Sequence, residues 1–206
     1  MTSTERKLGR PRDAAVDAAV TQAVLEVLDE VGLKAMSMDA VAARAGVGKA
    51  TIYRRWDSKE DLVIDVMASL VAGVEVPQTD DIRTDLITLL ERLRVFMSDV
   101  KAGSIFPWLV GEVAAGTEVG RHYANAVIIP RRAMIAQVIS HAIEIGSLRR
   151  DLDVQLAVDM ITGPAILRKM MAPVRGMDES WEEQLVDALL EGWRATPGEA
   201  GVTKGV

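Results

Sequence analysis

The chain has 206 residues, 49% of them hydrophobic and 26% charged, so it can bury a core and is not disordered by composition. It holds no cysteine, which excludes disulfides, thiolate zinc sites and cysteine nucleophiles together. The longest run free of Asp, Glu, Lys and Arg, Ala133 to Ile143, falls short of the roughly 18–20 residues of a membrane helix, and Met1 to Arg12 has no apolar signal segment. The expectation is a cytoplasmic chain with no membrane partner.

The formal net charge of −6 is unevenly spread. Residues 1–61 hold 10 Lys/Arg and 10 Asp/Glu, whereas residues 62–206 hold 14 and 20. The basic residues of the first part cluster. Arg6, Lys7, Arg10 and Arg12 face only Glu5, and Arg44, Lys49, Arg54, Arg55 and Lys59 face only Asp57. Such islands serve as solvated surface or as a polyanion site at one end of an acidic body.

With aromatics at 4% and Ala, Val, Leu, Ile and ten Met carrying the apolar content, helices are favoured over sheets. After a basic arm, residues 1–12, Asp13 caps a first helix. Its stripe of Val16, Ala19, Val20, Ala23, Val24, Val27, Leu28 and Val31 has i, i+3, i+4 spacing, and Gly32 ends it. Ser37 caps a short second helix to about Ala45. The turn Gly46-Val47-Gly48 leads to a third short helix, Lys49 to Trp56. Ser58 and Asp61 form a capping-box pattern that opens a fourth, to about Gly73. Val74 to Asp81, with Pro77, is a linker.

The second part is helical throughout. Ile82, Leu86, Leu89, Leu90, Leu93, Phe96, Met97 and Val100 form one stripe, broken by Lys101-Ala102-Gly103, and a short segment from Ile105 to Ala115 follows. Glu118 to about Ile145 is a long helix that Pro130 should kink, closed by Gly146. Asp151 or Asp153 starts another, to about Met171, containing Gly163-Pro164. Ser180 caps the last, which carries Trp181, Leu185, Leu189 and Trp193. Residues 197–206 are a Gly-rich tail. With no repeat and no strand alternation, the prediction is an all-α chain of about nine helices. The boundaries are an arm at 1–12, a first domain at 13–75, a second at 76–196 and a tail.

Enzyme constellations are missing. His122 and His141 are too far apart to share a helix face as a metal pair, and there is no Gly-x-Ser-x-Gly elbow. Gly46 to Thr51 fails as a phosphate loop, because the upstream glycine and the hydroxyl directly after Lys49 are missing. The expectation is a non-enzyme with no cofactor and no metal. Residues 37–56 instead have a helix-turn-helix layout, with the second helix offered to the major groove. At 100° per residue, Ile52 and Trp56 point inward, and Ala50 and Arg54 outward, flanked by Thr51 and Tyr53. A methyl, a hydroxyl, a phenol and a guanidinium suit base edges and phosphates. Tyr53 has a second reading, a surface aromatic packed on its neighbour. Lys49 and Lys59 each open a helix, where a cation is disfavoured and a bound phosphate would relieve the misfit.

The segment Met38 to Leu62 resembles the DNA-binding module of the TetR family of bacterial regulators, through Ala45-Gly46-Val47, Thr51-Ile52-Tyr53 and Ser58-Lys59-Glu60-x-Leu62. Gly9-Arg10-Pro11-Arg12 is a common kind of leading arm in that family. Gly48 stands where a capping Ser is usual and Trp56 where Phe is usual. The resemblance implies that Lys49, Ala50, Thr51 and Tyr53 contact bases and adjacent backbone, and that Lys59 takes a phosphate. Ser37 and Arg44 would add backbone contacts. Arg54 on the exposed face, with Arg10 and Arg12 in the arm, completes the candidate DNA-binding set.

The rest of the chain is similar to that family by layout only, as a helical ligand-binding and dimerisation domain. The family fold implies that the last two long helices pair with their copies, with Ile161, Ala165, Arg168, Trp181, Leu185, Leu189 and Trp193 as candidate interface residues. Intramolecular core is the other reading of the large ones. Candidate pocket residues are Phe96, Met97, Ile105, Trp108, Met134 and the polar anchors His122, Tyr123 and Gln137. The acidic surface favours a neutral or cationic hydrophobic effector over an anion. The leading function is a ligand-responsive repressor that binds a palindromic operator as a homodimer. A helical small-molecule-binding protein, or an activator of the same fold, is the alternative.

Overall fold

The computed structural model describes residues 14–72, 79–99, 105–175 and 181–194, and the side chains of all these except 96–99 and 172–175. Among them run nine helices: α1 Ala14–Ala35, α2 Met38–Arg44, α3 Lys49–Tyr53, α4 Lys59–Ala72, α5 Ile82–Asp99, α6 Phe106–Ala114, α7 Glu118–Glu144, α8 Val154–Arg175 and α9 Trp181–Trp193. The arm, the tail, the caps expected at Asp13 and Ser180, and the break at Lys101-Ala102-Gly103 lie outside the described residues. The chain falls into two compact units, Met1–Val63 and Ile64–Val206. The division lies inside α4, earlier than the Pro77 linker. The reason is packing, since Val71 of α4 lies with Leu89 of α5 and Ile135 of α7.

In the first unit the inward stripe of α1 is Val20, Ala23, Val24, Val27 and Leu28, all buried, as are Val41 and Ala42 of α2 and Ile52 of α3. Each fully buried Val, Leu or Ile contributes roughly 1.5–3 kcal/mol over leaving it exposed. Gly32, at φ 70°, takes α1 out of helical geometry, and Leu33 to Ala35 form one further turn beyond it. Ser37 caps α2, its hydroxyl accepting from the Ala40 amide at 3.2 Å. Ser58 accepts from the Asp61 amide at 3.0 Å and donates to the Asp61 carboxylate at 2.6 Å.

The second unit is built around one core. Leu86 and Leu90 of α5, Ile139 of α7, Val158 and Ile161 of α8, and Trp181, Val186, Leu190 and Trp193 of α9 all belong to it. At the start of α5, Asp81 accepts from the Arg83 amide and the Thr84 hydroxyl, and the buried Asp85 accepts from the Thr79 amide and hydroxyl. Of the two candidates for the α8 cap, Asp153 is the one that accepts from the amides of Gln155 and Leu156. The loop after α7 is tied to the end of α9 by the Arg149 amide, which donates to the Trp193 carbonyl at 2.9 Å.

Two local features of this unit follow from single residues. Pro130 has no amide to give to the carbonyl four residues back, so α7 widens into one π turn over Ala124–Ile128. There the Ile129 amide bonds to the Ala124 carbonyl. The proline is accommodated by an extra residue in the turn, within a helix that stays continuous to Glu144. Gly120 sits against α6 so closely that a Cβ would lie 2.2 Å from the Glu112 carbonyl oxygen. Only glycine fits.

Candidate functional site

The first candidate surface is built by α2, the turn after it, and α3. Gly46 adopts φ 66°, a left-handed conformation that a side chain makes costly, and the Val47 amide returns to the Ala42 carbonyl at 3.0 Å. Gly48 opens α3 with extended backbone and no side-chain cap. Ile52 is fully buried and Trp56 nearly so, which fixes the rotation of α3. Ala50, Tyr53 and Arg54 are therefore exposed and Thr51 is half-buried, the arrangement the helical wheel predicts. Tyr53 is 53% exposed. Regular α3 ends at Tyr53, three residues short of the expected end at Trp56. The Trp56 amide still bonds to the Ile52 carbonyl, so the indole reaches the core from a turn rather than from the helix.

The basic residues of this surface are partly committed. Lys49 pairs with Asp39 of α2, and that hydrogen bond holds the Asp39 carboxyl below the usual carboxylate range and the ammonium above its ordinary value. The same carboxylate lies close enough to the Tyr53 hydroxyl to push the phenol up. Arg44 bonds to Glu30 through both terminal nitrogens, at 2.8 and 2.6 Å, and to Glu26 at 3.1 Å. Arg55 pairs with Asp17 and lies 4.3 Å over the Trp56 ring.

The phosphate role expected of Lys59 meets a different solution. Its ammonium donates to the carbonyls of Leu33, Lys34 and Met36, at 2.8, 3.1 and 3.3 Å. Those are acceptors freed where α1 breaks at Gly32, so the misfit of a cation at the start of α4 is resolved by the end of α1. Arg44, held by two glutamates, is likewise an anchor of α2 on α1. Arg10 and Arg12 lie outside the described residues. Arg54 makes no ion pair among the described residues, and with Thr51, Tyr53 and Ala50 it leaves a polar, outward face.

The second candidate site is a cleft in the second unit, with about 40 Å³ of interior space. Val71 of α4, Leu89 and Leu93 of α5, and Met134 and Ile135 of α7 line it. Two arginines, Arg92 and Arg131, complete the wall. Arg131 is unusual, since its Nε and Nη1 atoms are out of contact with solvent and have no hydrogen-bond partner among the described residues. Desolvation pulls this guanidinium below its ordinary value, while Tyr123, itself buried and its phenol pushed up by burial, lies near enough to interact with it. An unpaired buried cation costs several kcal/mol.

Of the candidate pocket residues, Met134 lines this cleft and Tyr123 borders Arg131. His122 is half-buried, 3.8 Å from Asp65 of α4. Ile105 is buried at the start of α6, Trp108 is half-buried, neither lines the cleft, and Gln137 is exposed. The side chains of Phe96 and Met97 lie outside those described. Arg131 carries no sequence signal, because an isolated arginine on a helix reads as surface.

The candidate interface residues divide sharply. Ile161, Ala165, Trp181, Leu189 and Trp193 are buried in the core of their own chain, so they are closed to a second copy. Leu185 is half-buried, and Arg168 lies 5.2 Å over the Trp181 ring. The apolar surface of α8 is a different stripe: Leu156, Met160, Leu167, Met170 and Met171 are 56%, 41%, 61%, 45% and 39% exposed. At 100° per residue these lie within an arc of about 100°, with Gly163 inside it, midway along its length, and the buried face on the other side.

Residues 20–66 match the family model for bacterial regulatory proteins of the tetR family, and residues 76–189 match the tetracyclin repressor-like C-terminal domain. The chain is 30% identical over 193 residues to the HTH-type transcriptional regulator YdeS of Bacillus subtilis, covering 93% of this chain and 96% of that one. It is 32% identical over 183 residues to the DNA-binding transcriptional repressor TetR of Mycobacteroides abscessus, with 84% and 90% covered. The crystal structure of the TetR family transcription regulator SCO0332 matches with a TM-score of 0.70 at 32% identity, over 86% of this chain and 97% of that one. These relatives are transcriptional regulators and not enzymes. Helix α3, its rotation fixed by buried Ile52, and the helical second unit both fall within these matches, and the chain belongs to the TetR family of bacterial DNA-binding transcriptional regulators.

Proposed function

We propose that this chain is an effector-responsive repressor that reads a palindromic operator as a homodimer. The observation that carries the reading is the outward face of α3, where Ala50, Thr51, Tyr53 and Arg54 are offered to a groove by the burial of Ile52. Thr51 and Tyr53 contact base edges and adjacent backbone, Arg54 a phosphate, and Lys49 turns from Asp39 to the DNA. The similarity to a named repressor supports repression as the polarity.

A single short helix reads few base pairs, so specificity requires two copies about one helical turn, roughly 34–36 Å, apart. The exposed stripe of α8 supports the pairing. An apolar face of this length is costly in water, and Gly163 at its centre lets two backbones approach closely. Selection of bound duplexes from a random pool tests the reading. Enrichment of an inverted repeat is expected, and enrichment of a lone half-site or of no sequence would overturn it.

A further inference from the structure

We propose that the cleft between α4, α5 and α7 binds an amphiphile with one anionic head, which Arg131 pairs, and a short apolar tail. The inference rests on the reading of the chain as effector-responsive and names the class of effector. It also reverses the expectation, drawn from the acidic surface, of a neutral or cationic ligand.

The argument begins with the wall. Val71, Leu89, Leu93, Met134 and Ile135 offer hydrocarbon and one thioether, which suit a tail and offer nothing to a head. The polar exception, Arg131, lines the cleft, and its covered Nε and Nη1 atoms have no acceptor among the described residues. A neutral apolar ligand would seal that cation in still drier surroundings, and a cation would be repelled. Both nitrogens are covered in the cleft as it stands, so a ligand reaches them only as the wall parts. A carboxylate or phosphate oxygen then accepts from one of them, and the bond is strong because it is charge-assisted and shielded from water.

The position on α7 also suits regulation. Arg131 follows the π turn and Pro130, where the helix is least regular, and His122 of the same helix faces Asp65 of α4. The cleft is small, so a tail of more than a few carbons must part α5 from α7. Binding then favours one arrangement of α7 over another, which is the differential affinity that an effector needs.

The test uses the full chain and four probes with the same eight-carbon tail: octanoate, octyl phosphate, octanol and octylamine, each by calorimetry and thermal shift. Octanoate, octyl phosphate or both should bind at least about tenfold more tightly than octanol or octylamine, and their ratio tells carboxylate from phosphate. Arg131→Met should lose that preference and keep or raise the melting temperature, because it removes an unpaired buried charge. Met134→Trp, which fills the cleft, should block the anions with Arg131 intact. Equal binding of octanol, or anion binding that survives both substitutions, overturns the proposal. Anion binding that needs Arg131 but leaves operator affinity unchanged upholds the site and sinks the effector reading instead.

Discussion

Two helices of this chain solve the same packing problem and expose opposite chemistry. α3 buries Ile52 and leaves Thr51, Tyr53 and Arg54 outward, whereas α8 buries Ala157, Val158, Ile161 and Ala165 and leaves Leu156, Met160 and Leu167 outward. Both are amphipathic in the sense that one face is core. What differs is what the other face is suited to meet: a polyanion in one case, a second apolar surface in the other. The same contrast holds for cations. In the first unit Arg44, Lys49, Arg55 and Lys59 all have partners, and in the second the covered Nε and Nη1 atoms of Arg131 have none among the described residues.

The comparison is broken most severely by making the two outward faces alike. A Leu156→Asp, Leu167→Asp double variant places charge on the α8 stripe without touching its buried face. It should remain folded, sediment as a monomer at micromolar concentration, and lose operator affinity by on the order of a hundredfold or more, since one half-site is left. A variant that stays dimeric would mean the stripe is not the seam. On the other face, Tyr53→Ala or Thr51→Ala should weaken operator binding by about 1–3 kcal/mol with little change in melting temperature. Unchanged affinity in gel shifts would remove α3 as the reading helix.

A third substitution separates packing from recognition. Gly120→Ala forces a methyl into the Glu112 carbonyl and should cost about 1–3 kcal/mol of stability, read by denaturant unfolding. A neutral result would mean that α6 and α7 can separate freely. The smallest effect distinguishes anchoring from phosphate contact. Lys59→Met should lower stability by about 1 kcal/mol, through loss of its bonds to the α1 carbonyls, and leave the salt dependence of operator binding unchanged. A slope reduced by about 0.9 would restore the lysine to the DNA.

Much of the fold could be read directly. The spacing of Val20, Val24, Val27 and Leu28, the breaks at Gly32 and Gly46, and the caps Ser37 and Ser58 are local features, each decided within a turn or two of helix. The outward face of α3 was legible for the same reason, because one inward residue and the helical period determine the rest. Pro130 announced an irregularity, but whether it kinks α7 or widens it into a π turn depends on what packs around it.

The sequence by itself determined which residues form helices, where those helices stop and which family the reading head resembles, because these rest on backbone geometry and short-range periodicity. It did not determine which of two apolar stripes on α8 faces the core, since Ile161 and Leu167 are equally hydrophobic and only neighbouring helices choose between them. Nor could it assign the cations. Lys59, placed at the start of a helix, carries the same local signal whether it meets a phosphate or the end of α1. Arg131 looks like any surface arginine until α4 and α5 close over it. Those choices are made by contacts distant in sequence, where burial and the pairing of charges are settled.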